Sequence, residues 1–339
     1  MIHTPPSAFP DASILGLGYL GHPLAQKLYE HDSRVAAIKR SLTSDDINLP
    51  VHLDTLDLNQ DNVFQSANLA RDTSFWRHHA DKPVWFCLLP PSSLTHYADT
   101  VKQWAELARA CNVRHLIFTS STSVYGDKAR ECDETATPDP QTESARQILA
   151  AEQYLFDSGV PNIDILRLGG LYCAERHPVS RLVQKQNIPG GNQPVNIVHR
   201  DIAVETLFQT TLHPNGRRIR NIVAPRPPSR RDFYTADAAK LGLPPPEFSP
   251  DDTSGGKIVN TVSADCFIML ICRSCSFLDD FSAAAKPKPK NTVLLNIVSR
   301  QNQDKAKHRR TNQVHPLYNP KPESIENTLC PPYFPLSTT

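Results

Sequence analysis

The sequence lacks three features that would each indicate a class of protein. Its 339 residues include 36 Lys and Arg and 35 Asp and Glu, so there is no excess of positive charge to attract nucleic acid. The most apolar late stretch, Cys266 to Leu278, is interrupted by Arg273 and is far shorter than the ~20 residues of a transmembrane helix. The N-terminus has no basic segment followed by an apolar one. We therefore predict a cytoplasmic protein that binds neither nucleic acid nor membranes.

Cysteine is present but does not form a metal-binding or disulfide pattern. The eight cysteines are scattered, and several lie inside apolar runs, as Cys87 does. This usage is typical of a reducing compartment, where Cys packs as a small apolar residue. Cys272 and Cys275 form a CxxC, but no second pair follows in the sequence, so we predict no metal site.

Short apolar runs alternate with helical patterns along most of the chain. Predicted strands cover 12–15, 34–38, 84–89, 114–119, 164–168, 195–198 and 220–223, and predicted helices cover 20–30, 95–111, 147–156, 201–211 and 231–241, with Asp201 as a helix cap. This alternation indicates βαβ units, and nearly continuous apolar strands indicate a sheet covered on both faces. The predicted fold class is α/β, a Rossmann-type doubly wound parallel sheet with a small C-terminal substrate region.

The composition changes after about Asn260. Lys and Pro alternate over 286–290, 301–313 is polar without periodicity, and 316–339 is rich in Pro, Ser and Thr. A segment of this composition buries too little apolar surface to offset the conformational entropy lost when it becomes ordered. We predict one folded domain over 12–260, with a distinct second part from about 165. A divergent, largely disordered or frame-shifted tail over 261–339 would follow, with at most a short helix or strand around Phe267 to Phe281.

Gly16-Leu-Gly18-Tyr-Leu-Gly21 forms a GxGxxG pattern at the first predicted strand-to-helix turn. The pattern alone is a weak signal, but here a strand precedes it and a helix follows. Gly16 would permit the tight turn, Gly18 would let the backbone approach a pyrophosphate, and Gly21 would let the helix pack closely on the strand. The helix N-terminus would direct N–H groups at the phosphates. We predict a dinucleotide-binding loop, so that 12–260 is an NAD(P)-binding domain with its substrate-binding part from about 165; the alternative is an ordinary glycine-rich turn.

The end of the second predicted strand bears on the choice between NAD and NADP. A carboxylate there would accept the ribose hydroxyls of NAD, whereas this chain has Lys39, Arg40 and Ser41. Two cations and a hydroxyl suit a 2′-phosphate, and no acidic residue competes before Asp45. We favour NADP, with NAD as the alternative cofactor. If these residues do not bind a cofactor, Lys39 and Arg40 are simply solvated surface charges. The remaining predicted cofactor contacts are Tyr19, Leu20, Asp57, Leu58, Leu89, Pro90 and Ser120.

Four further motifs resemble those of one family, in the order in which that family has them. They are Phe-Thr-Ser-Ser-Thr-Ser-Val-Tyr-Gly at 118–126, the segment 131–140, Asp-Ile-Leu-Arg-Leu-Gly-Gly-Leu at 164–171, and the segment 196–203. With the glycine loop they resemble the extended short-chain dehydrogenases/reductases, the NAD-dependent epimerase/dehydratase family, over roughly Ser13 to Asn260. Within this family the chain resembles an atypical subgroup, the YeeZ-like proteins. It shares with them the glycine loop, the run ending Val-Tyr-Gly-Asp and an Arg-His-Pro after the sixth strand.

The resemblance implies catalytic residues, of which this chain lacks two. In the family a Ser after the fifth strand positions the substrate oxygen, and a Tyr-x-x-x-Lys on the next helix supplies the general acid/base. Ser121 matches the Ser, but Ser144 stands at the Tyr position and Ile148 at the Lys position. A Ser hydroxyl is far too weak an acid to replace the phenol. Tyr125 is a second catalytic candidate, with packing as the alternative.

The predicted substrate residues follow the sixth strand. Arg176, His177 and Arg181 could clamp a phosphate or carboxylate, or form a solvated basic loop. His199 matches a family His that usually stabilises a turn between subdomains, so it has both a ligand and a structural interpretation. Ser254-Gly-Gly-Lys257 resembles a family segment near the cleft and is a weak candidate by itself.

Two functions remain open at this point. The first is an NADP(H)-dependent oxidoreductase or epimerase/dehydratase that acts on a sugar-nucleotide-like or other polar metabolite. The second is a catalytically silent NADP(H)-binding sensor or regulatory protein, which the missing Tyr and Lys favour. The resemblance also implies that a homodimer could form, because relatives often pair through two helices from each subunit.

Overall fold

Strands and helices alternate through the described residues of the computed structural model, which are 9–60, 63–64 and 75–262. The strands are β1 (Ala12–Leu15), β2 (Val35–Lys39), β3 (His52–Thr55), β4 (Val84–Cys87), β5 (His115–Ser121), β6 (Glu131–Cys132), β7 (Asn162–Leu168), β8 (Gly170–Tyr172), β9 (Ile197–His199), β10 (Arg217–Ile222) and β11 (Ile258–Val259). The α-helices are α1 (Gly21–Glu30), α2 (Ser44–Ile47), α3 (Arg77–Ala80), α4 (Tyr97–Ala110), α5 (Glu143–Asp157), α6 (Val179–Leu182), α7 (Arg200–Thr210) and α8 (Arg230–Lys240). Each strand and helix predicted from the sequence is present, with its ends shifted by a few residues.

Seven of the described strands form one parallel sheet in the order β10-β7-β5-β4-β1-β2-β3. β1 pairs with β2 on one side and with β4 on the other, so the chain reverses its direction of travel across the sheet at β1. Ligands of open α/β sheets bind at the carboxyl ends of the strands where this reversal occurs. The predicted doubly wound fold is confirmed, and it directs attention to the loop after β1.

Helices cover both faces of the sheet. Neighbouring residues of β1 belong to different clusters: Leu15 packs with Trp104 of α4, whereas Ile14 packs with Leu24 of α1 and Leu207 of α7. All four residues of β1 are buried, because successive side chains point to opposite, covered faces. This burial explains why the central strands read as continuous apolar runs.

A smaller apolar cluster lies beside the sheet in the second half of the described chain. β8 pairs with β9, and Tyr172 of β8 packs with Phe233 and Tyr234 of α8. This cluster lies in the part of the chain, after about 165, that the sequence analysis predicted to bind the substrate. The segment after β8 reaches the turn that follows β1, where Cys173 contacts Tyr19.

A buried carboxylate links three strands of the sheet. Asp164 of β7 is fully buried; it accepts a hydrogen bond from His115 of β5 at 2.8 Å and forms ion pairs with Arg218 at 3.0 Å and Arg220 at 2.9 Å, both on β10. Burial by itself would raise the pKa of Asp164, but the His115 hydrogen bond and the two guanidinium charges outweigh burial and hold it below its usual value.

The structure adds four short strands that the sequence analysis did not predict, β3, β6, β8 and β11, and it corrects the start of one helix and the cap of another. β3 was not predicted, because His-Leu-Asp-Thr is a polar edge strand without an apolar run. Helix α5 begins at Glu143 rather than Gln147, since Thr142 caps it by accepting the N–H of Ala145 at 3.2 Å. The cap of α7 is His199, which accepts the N–H of Asp201 at 3.3 Å, so Asp201 is not the capping residue.

Several predictions concern residues outside the described ranges. They are the CxxC at Cys272, the segment around Phe267 to Phe281, and the tail over 261–339 apart from its first two residues. Among the helices that the structure describes, none has the length and apolarity required to cross a bilayer.

Candidate functional site

A cleft of ≈ 1150 Å³ opens at the carboxyl ends of β1, β2 and β4. One wall comes from the turns that follow these strands and β3, and the opposite wall comes from the segment after β8 and from α8. Nearly all of the predicted cofactor and substrate residues meet here. Those that line it are Gly16, Gly18, Tyr19, Leu20, Lys39, Arg40, Ser41, Asp57, Leu58, Leu89, Pro90, Arg176, His177 and Arg181.

The glycine loop has the geometry that a phosphate-binding turn requires. Gly16 has φ +103°, a backbone conformation that L side chains rarely adopt. A Cβ at Gly21 would lie 2.2 Å from the carbonyl oxygen of Gly16, so only glycine lets α1 begin this close to the turn. A Cβ at Gly18 would meet no described atom within 4 Å and would project into open space. The backbone at Gly18 is therefore open to a ligand, and the arrangement fits the diphosphate of a dinucleotide.

Tyr19 connects the glycine loop to the opposite wall. Its hydroxyl donates a hydrogen bond to Sγ of Cys173 at 2.9 Å, and the guanidinium carbons of Arg176 and Arg200 lie 4.9 and 5.6 Å from its ring centroid. Burial and the Cys173 contact raise the pKa of Tyr19 above its ordinary value, so the phenol stays protonated near neutral pH. Arg176 therefore lies close to the glycine loop as well as to the predicted substrate side.

The end of β2 carries an ion pair that the sequence interpretation missed. Nζ of Lys39 lies 2.5 Å from Oδ2 of Asp46, and the same oxygen accepts hydrogen bonds from the backbone N–H and the hydroxyl of Thr43, each at 2.7 Å. Asp46, not Asp45, is thus the carboxylate that competes for Lys39. Arg40 and Ser41 are exposed beside this pair. The Thr43-x-x-Asp46 spacing is typical of a capping box and was the available signal.

The other predicted cofactor contacts occupy the same side of the cleft. Asp57 and Leu58 follow β3, and Leu89 and Pro90 follow β4. Oδ1 of Asp57 accepts the backbone N–H of Asn59 at 3.1 Å, which holds this turn in place.

Cations line the opposite wall. Arg181 and Lys185 are exposed, and Arg230 is fixed by a hydrogen bond to the Pro189 carbonyl at 3.0 Å. Tyr234 lies one helical turn after Arg230 on α8 and also lines the cleft; burial raises the pKa of its hydroxyl, which stays protonated at neutral pH and can donate a hydrogen bond. The sequence interpretation missed Lys185, Arg230 and Tyr234, because no local motif marks α8 as part of the cleft.

His177 lines the cleft but has both ring nitrogens engaged. Nε2 lies 2.9 Å from Oδ2 of the buried Asp237, and Nδ1 accepts the backbone N–H of Val179 at 3.2 Å. With Nδ1 as acceptor, Nε2 carries the proton and donates a hydrogen bond to Asp237. The predicted substrate role of His177 is therefore limited to shaping the wall next to Arg176.

Ser120 and Ser121 are the last two residues of β5, and their side chains have different hydrogen-bond partners. Oγ of Ser121 accepts the N–H of Ser123 at 3.1 Å and keeps its own hydrogen for donation, yet this residue is outside the cleft lining. Ser120 is buried and donates to Oε1 of Glu152 at 2.5 Å. The side chain of Ser120 therefore faces the interior and not the predicted cofactor.

Tyr125 is a core residue. It is fully buried, its hydroxyl donates to Oδ1 of Asn221 at 2.9 Å, and it accepts a hydrogen bond from Arg167 at 2.9 Å. Arg167 in turn forms an ion pair with Glu152 at 2.6 Å. Burial raises the pKa of Tyr125, which is opposite to what a general base needs. The placement matches the packing alternative and not the predicted catalytic role.

The two positions that replace the catalytic pair lie on α5. Ser144 is exposed in the first turn of this helix, and Ile148 is 4% exposed within the core cluster. His199, the last predicted substrate residue, caps α7 outside the cleft lining, and Lys257 contacts the Gly126 carbonyl, also outside it. In the described part of the chain, no group of three or more His, Cys, Asp or Glu residues is arranged to hold a metal.

Known proteins are similar to this chain in sequence or in fold. The model of the NAD-dependent epimerase/dehydratase family matches residues 13–184. Protein YeeZ of Escherichia coli strain K12 is 32% identical over 253 residues, which cover 73% of this chain and 90% of that protein. MoeE5 in complex with UDP-glucuronic acid and NAD superposes with a TM-score of 0.58 at 21% identity, over 74% of this chain and 90% of that one. UDP-N-acetylglucosamine 4-epimerase from Bacillus cereus superposes with a TM-score of 0.60 at 13% identity, over 77% and 93%. These two structures show the same fold.

Proposed function

The chain belongs to the NAD-dependent epimerase/dehydratase family, and from that membership we propose that it binds NADP(H) and acts as an oxidoreductase or epimerase/dehydratase on a sugar-nucleotide-like or other polar metabolite. The observation that carries the proposal is that one cleft combines a glycine loop at the reversal point of the sheet with a cationic opposite wall. A dinucleotide lying along the first wall would face its substrate across the cleft.

The first wall supports the cofactor part of the proposal. The backbone around Gly18 would bind the diphosphate, aided by the N-terminus of α1, whose first turn has no acidic residue. Arg40 and Ser41 would bind the 2′-phosphate that distinguishes NADP from NAD. The nicotinamide of the bound cofactor would accept or supply a hydride. Asp46 cannot replace the ribose-binding carboxylate of NAD enzymes, because it is 1% exposed and hydrogen-bonded to Lys39 and Thr43.

The second wall supports an anionic substrate. Arg181, Lys185 and Arg230 would attract a phosphate or carboxylate, and the protonated hydroxyl of Tyr234 would donate a hydrogen bond to it. MoeE5 is known with UDP-glucuronic acid, whose phosphates and carboxylate are the kind of groups such a wall suits. On this basis we propose a sugar-nucleotide-like substrate for this chain.

A catalytically silent NADP(H)-binding sensor is the second candidate. The core position of Ile148 favours it, because a Lys there would have to carry its charge into the apolar cluster. Ser144 offers only an exposed hydroxyl, and Tyr125 is held in the interior. In this candidate the cleft binds dinucleotide and metabolite without converting either.

One experiment separates the two candidates. Purified protein is titrated with NADPH and with NADH by ligand fluorescence. It is then incubated with a panel of UDP-sugars and either NADP+ or NAD+, the oxidised forms that can accept a hydride from the sugar, and in parallel with NADPH or NADH, which can supply one. Products are separated by chromatography, because an epimerase returns its cofactor to the starting oxidation state and therefore causes no net change in nucleotide absorbance. Selective NADPH binding with product formation supports the enzyme, and selective binding without product supports the sensor. Failure to bind either dinucleotide would overturn both.

A further inference from the structure

The ion pair between Lys39 and Asp46 reduces the net positive charge at the end of the cleft where the cofactor would bind. Lys39 is one of two adjacent cations at the end of β2, but its ammonium lies 2.5 Å from Oδ2 of Asp46. Arg40 is exposed, and no residue in the described ranges forms an ion pair with it. Of the two cations, only Arg40 therefore presents an uncompensated charge.

From this geometry we infer that Asp46 is a specificity-determining residue, which restrains Lys39 and leaves discrimination for the 2′-phosphate mainly to Arg40. The inference rests on the proposed NADP(H) site and refines it. Asp46 acts through Lys39 and touches no part of the cofactor, so it is a positioning residue.

The restraint on Lys39 is strong because the carboxylate is fixed independently of it. Asp46 is 1% exposed, and Thr43 donates two hydrogen bonds to the same oxygen that binds Lys39. Burial alone would raise the pKa of Asp46, but the Lys39 and Thr43 hydrogen bonds and the Lys39 charge hold it below its usual value. The carboxylate is consequently ionised at neutral pH and cancels the field of the ammonium at a nearby phosphate.

Breaking the pair should release Lys39 toward the cleft, which it already lines. The substitution Asp46→Asn keeps the shape of the side chain and can still accept from Thr43, so α2 retains its cap. The freed ammonium then offers a charge-assisted hydrogen bond to a 2′-phosphate and nothing comparable to a 2′-hydroxyl. NADPH affinity should rise about tenfold, which corresponds to about 1.4 kcal/mol, and NADH affinity should stay within about twofold of wild type.

The matched control is Asp45→Asn. Asp45 is the adjacent residue, is exposed, and does not contact Lys39, so this variant removes the same charge from the same turn without freeing the ammonium. Dissociation constants for NADPH and NADH are measured by fluorescence on the full chain, and circular dichroism verifies that each variant is folded. Asp45→Asn should bind both nucleotides as wild type does.

A second comparison keeps the inference testable if Asp46→Asn does not fold. In the wild-type background, Arg40→Gln should weaken NADPH binding more than Lys39→Gln, whereas in the Asp46→Asn background Lys39→Gln should remove the gained affinity. Two outcomes would overturn the inference and leave the proposed cofactor intact, provided that wild type prefers NADPH. One is an equal loss of NADPH affinity from Arg40→Gln and Lys39→Gln. The other is an Asp46→Asn variant with the same NADPH affinity as Asp45→Asn. A wild-type protein without NADPH preference would overturn both.

Discussion

Gly18 and Gly21 stand three residues apart in one loop, yet the missing side chain serves a different purpose at each. At Gly21 it allows contact between protein atoms, since a Cβ would lie 2.2 Å from the Gly16 carbonyl oxygen. At Gly18 it leaves space that the described protein does not fill. The first glycine therefore supports the fold, and the second supports ligand binding.

Substitution by alanine should separate these two purposes. Gly18→Ala should leave the free energy of unfolding unchanged and weaken NADPH binding about tenfold, because the methyl group displaces one charge-assisted hydrogen bond to the diphosphate. Gly21→Ala should lower the free energy of unfolding by about 1–3 kcal/mol and weaken NADPH binding as well. Urea denaturation and nucleotide titration measure the two effects. Unchanged NADPH binding by Gly18→Ala would contradict the placement of the diphosphate at this loop.

Among the elements, β7 determines how the second half of the sheet is held together. Its Asp164 contacts His115 on β5 and Arg218 and Arg220 on β10, so one carboxylate links both neighbouring strands and compensates the two guanidinium charges of β10. Arg220 has a side chain only 6% exposed, and loss of the carboxylate would remove an ion-pair partner from this buried charge. Removing one partner of a buried ion pair costs more than the pair itself contributes.

Asp164→Asn should therefore reduce the free energy of unfolding at neutral pH by about 3 kcal/mol. The folded-state pKa of Asp164 lies below its ordinary value, so its contribution is fully present above about pH 4 and is lost as the pH falls through the lower, folded-state pKa. Wild type should lose this stability in acid, and the variant should lose less.

Urea denaturation at neutral and acidic pH measures the difference. Glu143→Gln removes an equal charge from an exposed surface pair with Arg146 and should cause no measurable change. If both variants were equally stable at neutral pH, Asp164 would not hold the three strands as described.

At the scale of the whole molecule, the cleft combines segments far apart in the chain. The glycine loop contributes Tyr19, and the segment after β8 contributes Cys173 and Arg176, which contact it. A dinucleotide bound between these walls would add contacts to both and would bind only the folded protein. Ligand binding should therefore stabilise the described fold as a unit.

NADPH should raise the melting temperature in a concentration-dependent way. At a concentration about a hundredfold above the dissociation constant, the stabilisation is about 2.7 kcal/mol, and for a domain of this size this corresponds to roughly 5–10 °C. NADH at the same concentration should give a smaller shift, since it lacks the 2′-phosphate. Differential scanning fluorimetry measures both, and the absence of a shift at saturating NADPH would contradict binding in the cleft.

The helix and strand periods, the glycine loop and the family motifs are local features, and the sequence by itself determined them. Continuous apolar runs predicted the buried parallel strands, and the GxGxxG spacing predicted the turn at β1, because both patterns depend on residues close in the chain. The polar edge strand β3 was not recognised, since its four residues carry no apolar pattern and its pairing with β2 supplies the order.

Only the tertiary structure decided which polar groups are available for chemistry. Asp46 engages Lys39, Asp237 engages His177, and Asn221 with Arg167 engages Tyr125, so three residues predicted for the site have partners that their own motifs do not contain. The physical reason is that burial makes an unpaired polar group costly, so each finds a partner wherever packing brings one close. Sequence spacing specifies a residue's element, whereas the fold specifies its neighbours and thereby its charge and its role.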